Sequence, residues 1–117
     1  MIKSKNNSKI LNSAVDTIKI EISALKKLLH RIDSNFLKAI NLILNCKGRV
    51  IVTGVGKSGL IGKKITATLS STGTPSVFIH SADGGHGDIG MIVAGDIALA
   101  ISYSGETNEV IAMLPAF

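Results

Sequence analysis

The chain has 117 residues, of which 45% are hydrophobic, 18% charged and 3% aromatic; this allows one domain with a buried core and excludes a disordered, highly charged chain. The formal charge of +5 is split: all thirteen Lys and Arg fall between Lys3 and Lys64, while residues 65–117 carry five acids and no Lys or Arg. The cations are scattered around a helical face and no aromatics interleave with them to stack bases, so no nucleic-acid partner is expected.

No apolar run approaches the ~20 residues of a membrane span, so no membrane partner is expected either. Cys46 is the only cysteine, which excludes an internal disulfide and a cysteine-based zinc site and points to a reducing compartment. The lysines near the start are not followed by an apolar signal core, so a cytoplasmic location is expected.

Residues 1–8 are polar and read as a frayed, disordered lead. An apolar series then begins: Leu11, Ala14, Ile18, Ile22, Leu25, Leu29, Ile32, Phe36, Ile40 and Ile43. Every step is three or four residues, the period of an α-helix. Asp33, Ser34 and Asn35 interrupt it with three residues of N-capping type. The reading is a helical arm over 9–46, as helices at about 9–31 and 34–46 or one long bent helix, closed by Gly48 in the left-handed conformation. Some of its apolar positions are free to face a partner subunit.

From residue 47 the texture changes. Residues 49–53 are β-branched and almost continuously apolar, which suits a strand covered on both faces. Residues 54–59 form a glycine-rich turn, and a helix follows, ending near Ser70-Ser71-Thr72-Gly73. Residues 76–80 read as a second strand, 81–90 as a long glycine-rich connection and 96–102 as a third strand. Residues 104–107 open another helix carrying Val110, Ile111 and Leu114. Strands separated by helices or long crossovers predict an α/β fold, a partial doubly wound parallel sheet preceded by the helical arm. Ligands in such sheets sit beyond the carboxyl ends of the strands, where both polar loops fall.

Residues 54–59, Gly-Val-Gly-Lys-Ser-Gly, match G-x-G-x-x-G. Three readings stand side by side. The amides before a helix suit a phosphate ester. A dinucleotide needs an acid at the end of the second strand, where His80 stands, with Asp83 further on. A purely structural tight turn needs neither. A P-loop is excluded, because its first glycine would fall on Ile51. In residues 102–107, Ser-Tyr-Ser-Gly-Glu-Thr, the hydroxyls of Ser102, Ser104 and Thr107 gather at a strand end and can surround a phosphate without a metal. The alternative is ordinary N-capping by Ser104 or Thr107.

Gly-Val-Gly-Lys-Ser-Gly, Ser-Thr-Gly-Thr-Pro and Ile-Ser-Tyr-Ser-Gly-Glu-Thr together resemble the sugar isomerase (SIS) domain, a phosphosugar-binding module. Gly85-His86-Gly87-Asp88-Ile89-Gly90-Met91 narrows the resemblance to the arabinose-5-phosphate isomerase family. That family interconverts ribulose 5-phosphate and arabinose 5-phosphate for the Kdo sugar of lipopolysaccharide or capsule. The resemblance runs from about Cys46 to Pro115.

It implies a truncated SIS domain over 47–117 and a small-molecule sugar phosphate as ligand. Phosphate binding falls on Gly56, Ser58, Ser102, Ser104 and Thr107, and catalysis on Lys57, His86 and Glu109. Moving a proton between C1 and C2 through an enediol needs a base, for which Glu109 is suited, and a group such as Lys57 to stabilise the enediolate oxygen. Glu109 read alone is also an ordinary first-turn acid, and Lys57 alone only a phosphate counter-charge.

His80, Asp83, His86 and Asp88 are metal-type ligands, yet this chemistry needs no metal, and no cofactor is expected. The family also implies a homo-oligomer, dimer or tetramer, and about five strands followed by regulatory CBS (cystathionine β-synthase) domains. Three strands leave an apolar sheet edge open, so a fragment, a truncated gene product or a chain stabilised by association is expected. The alternative functions are a non-catalytic sugar-phosphate-binding or regulatory SIS module and a dinucleotide-dependent oxidoreductase.

Overall fold

The computed structural model describes residues 2–81 and 87–117. The chain divides into two compact units, Met1–Ile40 and Asn41–Phe117.

The first unit holds α1, Ile2–Leu29, and the start of α2, Ser34–Leu44. Residues 2–8, expected to be frayed, continue α1. Nothing in that stretch is a proline or glycine, so no residue stops the helix from extending past its first apolar contact. Lys26 and Lys27 lie in its last turn, where the helix dipole favours cations. Of the three capping candidates the structure uses Asp33. Its Oδ1 accepts the Asn35 and Phe36 amides at 2.8 and 3.3 Å, and Leu37 N–H closes the first turn on its carbonyl at 3.2 Å. The apolar stripe of this unit is exposed, with Leu11 at 67% and Leu29 at 71%.

In the second unit α2 ends at Leu44, with Cys46 N–H turning back to the Ile43 carbonyl at 3.2 Å. Gly48 therefore does not end the helix, and its φ is not positive. It is a glycine for room: a Cβ there would lie 2.5 Å from Asp96 Oδ1 and 2.7 Å from the Gly95 carbonyl carbon.

The sheet comprises β1 (Val50–Gly54), β2 (Ser76–His80) and β3 (Ile97–Ala100), in the order β2-β1-β3 and parallel throughout. β1 is central and wholly buried, as its β-branched run requires. Successive side chains alternate between faces. Val52 and Phe78 meet α3, Gly56–Ser71, which approaches closely because Gly62 has no side chain. A Cβ there would sit 2.9 Å from the Phe78 ring and 3.3 Å from Val52. On the other face Ile51 and Ile79 pack against Met113 of α4, Asn108–Met113, with Val77, Ile89 and Ile92 around them. Helices thus cover both faces; the first crossover carries the chain from β1 to β2 and the second returns it past β1 to β3.

The third strand, expected over 96–102, is confined to Ile97–Ala100, and at its entry end Asp96 is drawn out of it. The Asp96 carboxylate, whose side chain is buried, pairs with Arg49 Nη2 at 2.8 Å and accepts the Arg49 and Val93 amides at 2.7 and 3.1 Å. Arg49 also donates to the carbonyl of Met91, the last residue of the 3₁₀ turn Asp88–Met91. This clamp locks the entry ends of β1 and β3 together. The Arg49 hydrogen bond holds the Asp96 carboxyl down to about 2, against the opposing pull of burial, and Arg49 is raised in return.

Candidate functional site

The order β2-β1-β3 places a switch point between β1 and β3, where one crossover leaves to each side. Open sheets bind ligands in the crevice beyond the strand ends at such a point. Both polar loops border it, and Gly54 shows how closely the first approaches the end of the strand that feeds the second. A Cβ on Gly54 would lie 3.0 Å from the Ile101 carbonyl oxygen, 3.2 Å from the Ser58 carbonyl carbon and 3.3 Å from the Gly59 nitrogen. The first turn of α3 and the Ile101 carbonyl, immediately before the second loop, therefore close on one residue that has no side chain. Gly59 completes the fit, since its own Cβ would be 2.8 Å from the Gly54 carbonyl oxygen.

Gly56 opens α3 at φ +55°, the left-handed region that glycine enters without strain. Gly59 N–H closes the first turn on the Val55 carbonyl at 3.1 Å. The amides of Gly56, Lys57 and Ser58 precede it and have no intrahelical acceptor. The N-cap residue is Val55, and no side chain caps the helix. A valine in that position forgoes about 1 kcal/mol relative to Ser or Asp. It leaves the positive end of a 16-residue helix open to an anion. Ser58 is half-buried there and Lys57 exposed.

The second loop is folded on its own hydroxyls. Ser102 Oγ lies 2.7 Å from Thr107 Oγ1 and accepts Gly105 N–H at 3.0 Å. Ser104 Oγ accepts Glu106 N–H at 3.1 Å. Gly105 makes the turn at φ +74°. Thr107 occupies the N-cap position of α4, yet its hydroxyl makes no capping bond; only its carbonyl receives Val110 and Ile111, both at 3.0 Å. Simple N-capping by Thr107 is thereby ruled out, and Ser104 serves the loop rather than the helix.

The structure brings Gly56, Ser58, Ser102, Ser104 and Thr107 to the two loops that meet at Gly54. Lys57 is on the first turn of α3 and Glu109 on the first turn of α4, both exposed; among the described residues no hydrogen bond or ion pair joins them. His86 and Asp83 lie outside the described residues. His80 ends β2 with its ring edge-on to Phe78, centroids 6.3 Å apart. Cys46 is half-buried and its thiol donates to the Gly95 carbonyl at 3.3 Å. Among the described residues no group of three or more His, Cys, Asp or Glu is placed to hold a metal, and no helix is long and apolar enough to cross a membrane.

One feature escaped sequence reasoning. Thr53 and Ser81 are buried beneath the crevice with their hydroxyl oxygens 2.8 Å apart, and Thr53 also donates to Met113 Sδ at 3.3 Å. The sole signal was a threonine ending an aliphatic run.

A parallel doubly wound sheet with two polar loops at its switch point defines an open-sheet α/β domain of the crevice-binding class. The SIS domain family matches residues 43–117, and the chain belongs to it. The chain is 53% identical over 109 residues to arabinose 5-phosphate isomerase KdsD of Pseudomonas aeruginosa, covering 93% of this chain and 33% of that protein. It is 48% identical over 106 residues to arabinose 5-phosphate isomerase GutQ of Escherichia coli K12, covering 91% and 33%. Among solved structures, c3406 of E. coli CFT073 in complex with arabinose 5-phosphate superposes with a TM-score of 0.70 at 46% identity, over 79% of this chain and 50% of that one. The chain spans about a third of the length of the curated relatives.

Proposed function

We propose that this chain binds a pentose 5-phosphate and forms the N-terminal part of an arabinose-5-phosphate isomerase. The observation that carries this reading is the convergence of both phosphate-directed loops on Gly54. The free first-turn amides of α3, with Ser58, face one side of the ester. Ser102, Ser104 and Thr107 supply hydroxyls from the other. With the phosphate fixed, the sugar carbonyl end is held at a constant reach from it. Proton transfer between C1 and C2 then needs a base and an oxyanion partner. Glu109 is assigned the first role and Lys57 the second, with His86 as a third catalytic candidate. The relatives named above support the substrate.

The product would serve Kdo synthesis for lipopolysaccharide or capsule, in the cytoplasm. The long exposed apolar stripe of α1, from Leu11 to Leu29, supports a homo-oligomer, because apolar surface of that extent is normally covered. A second reading, sugar-phosphate binding without turnover, is favoured by the lack of any hydrogen bond or ion pair between Lys57 and Glu109 among the described residues, while the second loop is held by its own hydroxyls.

A melting-temperature screen separates these readings from a dinucleotide enzyme. Arabinose 5-phosphate is expected to stabilise the chain by about 2.7 kcal/mol at a hundred times its Kd, and arabinose and NAD to do nothing. A coupled assay with ribulose 5-phosphate then separates catalysis from binding. Turnover lost in Lys57→Ala and Glu109→Gln supports the isomerase; stabilisation without turnover supports the binding module. Stabilisation by NAD alone refutes both.

A further inference from the structure

We infer that Ser102 and Thr107 act as a single hydroxyl donor: the pair keeps one proton for itself and offers the other to the phosphate, so that either residue can serve alone. This rests on the proposed phosphate site and specifies how that site works. A hydroxyl has one proton and two acceptor lone pairs. At 2.7 Å the two oxygens share one of their two protons, whichever residue donates it.

If Thr107 donates inward, Ser102 accepts both Thr107 and Gly105 N–H. Its lone pairs are then filled and its own proton points out of the pair. If Ser102 donates inward, the Thr107 proton is the one released. Each arrangement leaves one proton to give, and turning both hydroxyls together exchanges the two. The helix does not compete for it, because the Thr107 hydroxyl makes no capping bond. Ser104 differs. Among the described residues its oxygen accepts only Glu106 N–H, and its proton is shared with no other hydroxyl. The Ser and Thr side chains of the loop thus offer two hydroxyl protons from three hydroxyl groups, with the Tyr103 phenol fully exposed to solvent.

The pair therefore has an unusual substitution pattern. Ser102→Ala removes the inner bond and frees the Thr107 proton to point outward. Thr107→Val, which keeps the branched shape, does the same for Ser102. Each single change is expected to weaken arabinose 5-phosphate binding about 3-fold, through the lost loop bond. The double change S102A/T107V removes the last proton of the pair and is expected to weaken binding about 100-fold, as loss of a charge-assisted bond does. That is about ten times worse than the product of the singles, a coupling that a double-mutant cycle reads directly.

The experiment titrates the chain and its variants with arabinose 5-phosphate calorimetrically, with arabinose as the control lacking phosphate and the ligand-free melt as a check of folding. A double variant no weaker than the product of the singles overturns the inference. So does a 100-fold loss in either single, which would mean that both hydroxyls donate outward independently. If S102A/T107V does not fold, the same cycle is read with Thr107→Ala in place of Thr107→Val. Ser104→Ala, expected to weaken binding about 10-fold, tests the underlying site. If it and the double both bind as the parent does, the phosphate lies elsewhere and the site reading fails. If only Ser104→Ala weakens binding, the site stands and the shared-proton inference falls.

Discussion

Met113 closes the face of the sheet beneath the crevice, and Met113→Ala measures how firmly. Its side chain is 1% exposed and packs on Ile51 and Ile79. Large-to-alanine changes in cores cost about 2–5 kcal/mol, depending on how far the site can collapse. Ile51 lies on the central strand, which is buried throughout and has little freedom to fill the gap. α4, only six residues long, has more freedom to settle inward. No buried polar atom is orphaned, since Thr53 keeps its 2.8 Å bond to Ser81 when the sulfur is gone. A loss of about 3 kcal/mol follows, in the middle of that range. With a urea m-value of about 1–3 kcal/mol/M, the midpoint falls by about 1–3 M while m stays fixed. Met113→Leu conserves volume and is expected to cost under about 1.5 kcal/mol. Ile111→Ala on the same helix, 45% exposed, is expected to stay within about 0.5 kcal/mol. If Met113→Ala proved no worse than Ile111→Ala, this face of the sheet would not be held by Met113, and the packing argument would be wrong.

Acid should undo the Arg49–Asp96 clamp in a defined window. The Asp96 carboxyl sits at about 2 in the folded chain, below its ordinary 3.8, so it stabilises the fold above the ordinary value. That contribution drains away as pH falls through about 2. Urea midpoints between pH 4.5 and 2 should therefore drop more steeply in the parent than in Asp96→Asn, and parallel curves would rule the clamp out as a source of acid sensitivity. Gly59→Ala should destabilise by about 1 kcal/mol, since overpacking of about 1–3 kcal/mol outweighs the ~1 kcal/mol by which alanine favours a helix over glycine. It should also reduce the thermal shift given by arabinose 5-phosphate, because the clash with the Gly54 carbonyl pushes the first turn of α3, with its free amides, away from the end of β1. Gly90→Ala, whose Cβ would meet nothing within 4 Å, is the matched control, and equal behaviour of the two would show that the close approach is unimportant.

What the sequence determined by itself was local. The 3.6-residue period of the arm, the β-branched run Val50–Val52 and the glycine turn after it are consequences of side-chain shape and solvent acting over a few neighbouring residues. They sufficed for the α/β class, the parallel strands and the position of both loops. Even locally some choices stayed open: Asp33 was one of three capping candidates until its Oδ1 was seen to accept two amides.

Only the tertiary structure decided what depends on residues far apart in the chain. Gly48 has the composition of a helix stop, yet its lack of a side chain serves Asp96, 48 residues on. Thr107 has the position of a helix cap, but its hydroxyl turns to Ser102. The strand order β2-β1-β3 sets the crevice between β1 and β3 and brings the two loops against Gly54. The physical reason is that a periodic pattern records which face of an element seeks burial and not which partner buries it. That choice is made by packing and hydrogen bonding across the assembled sheet.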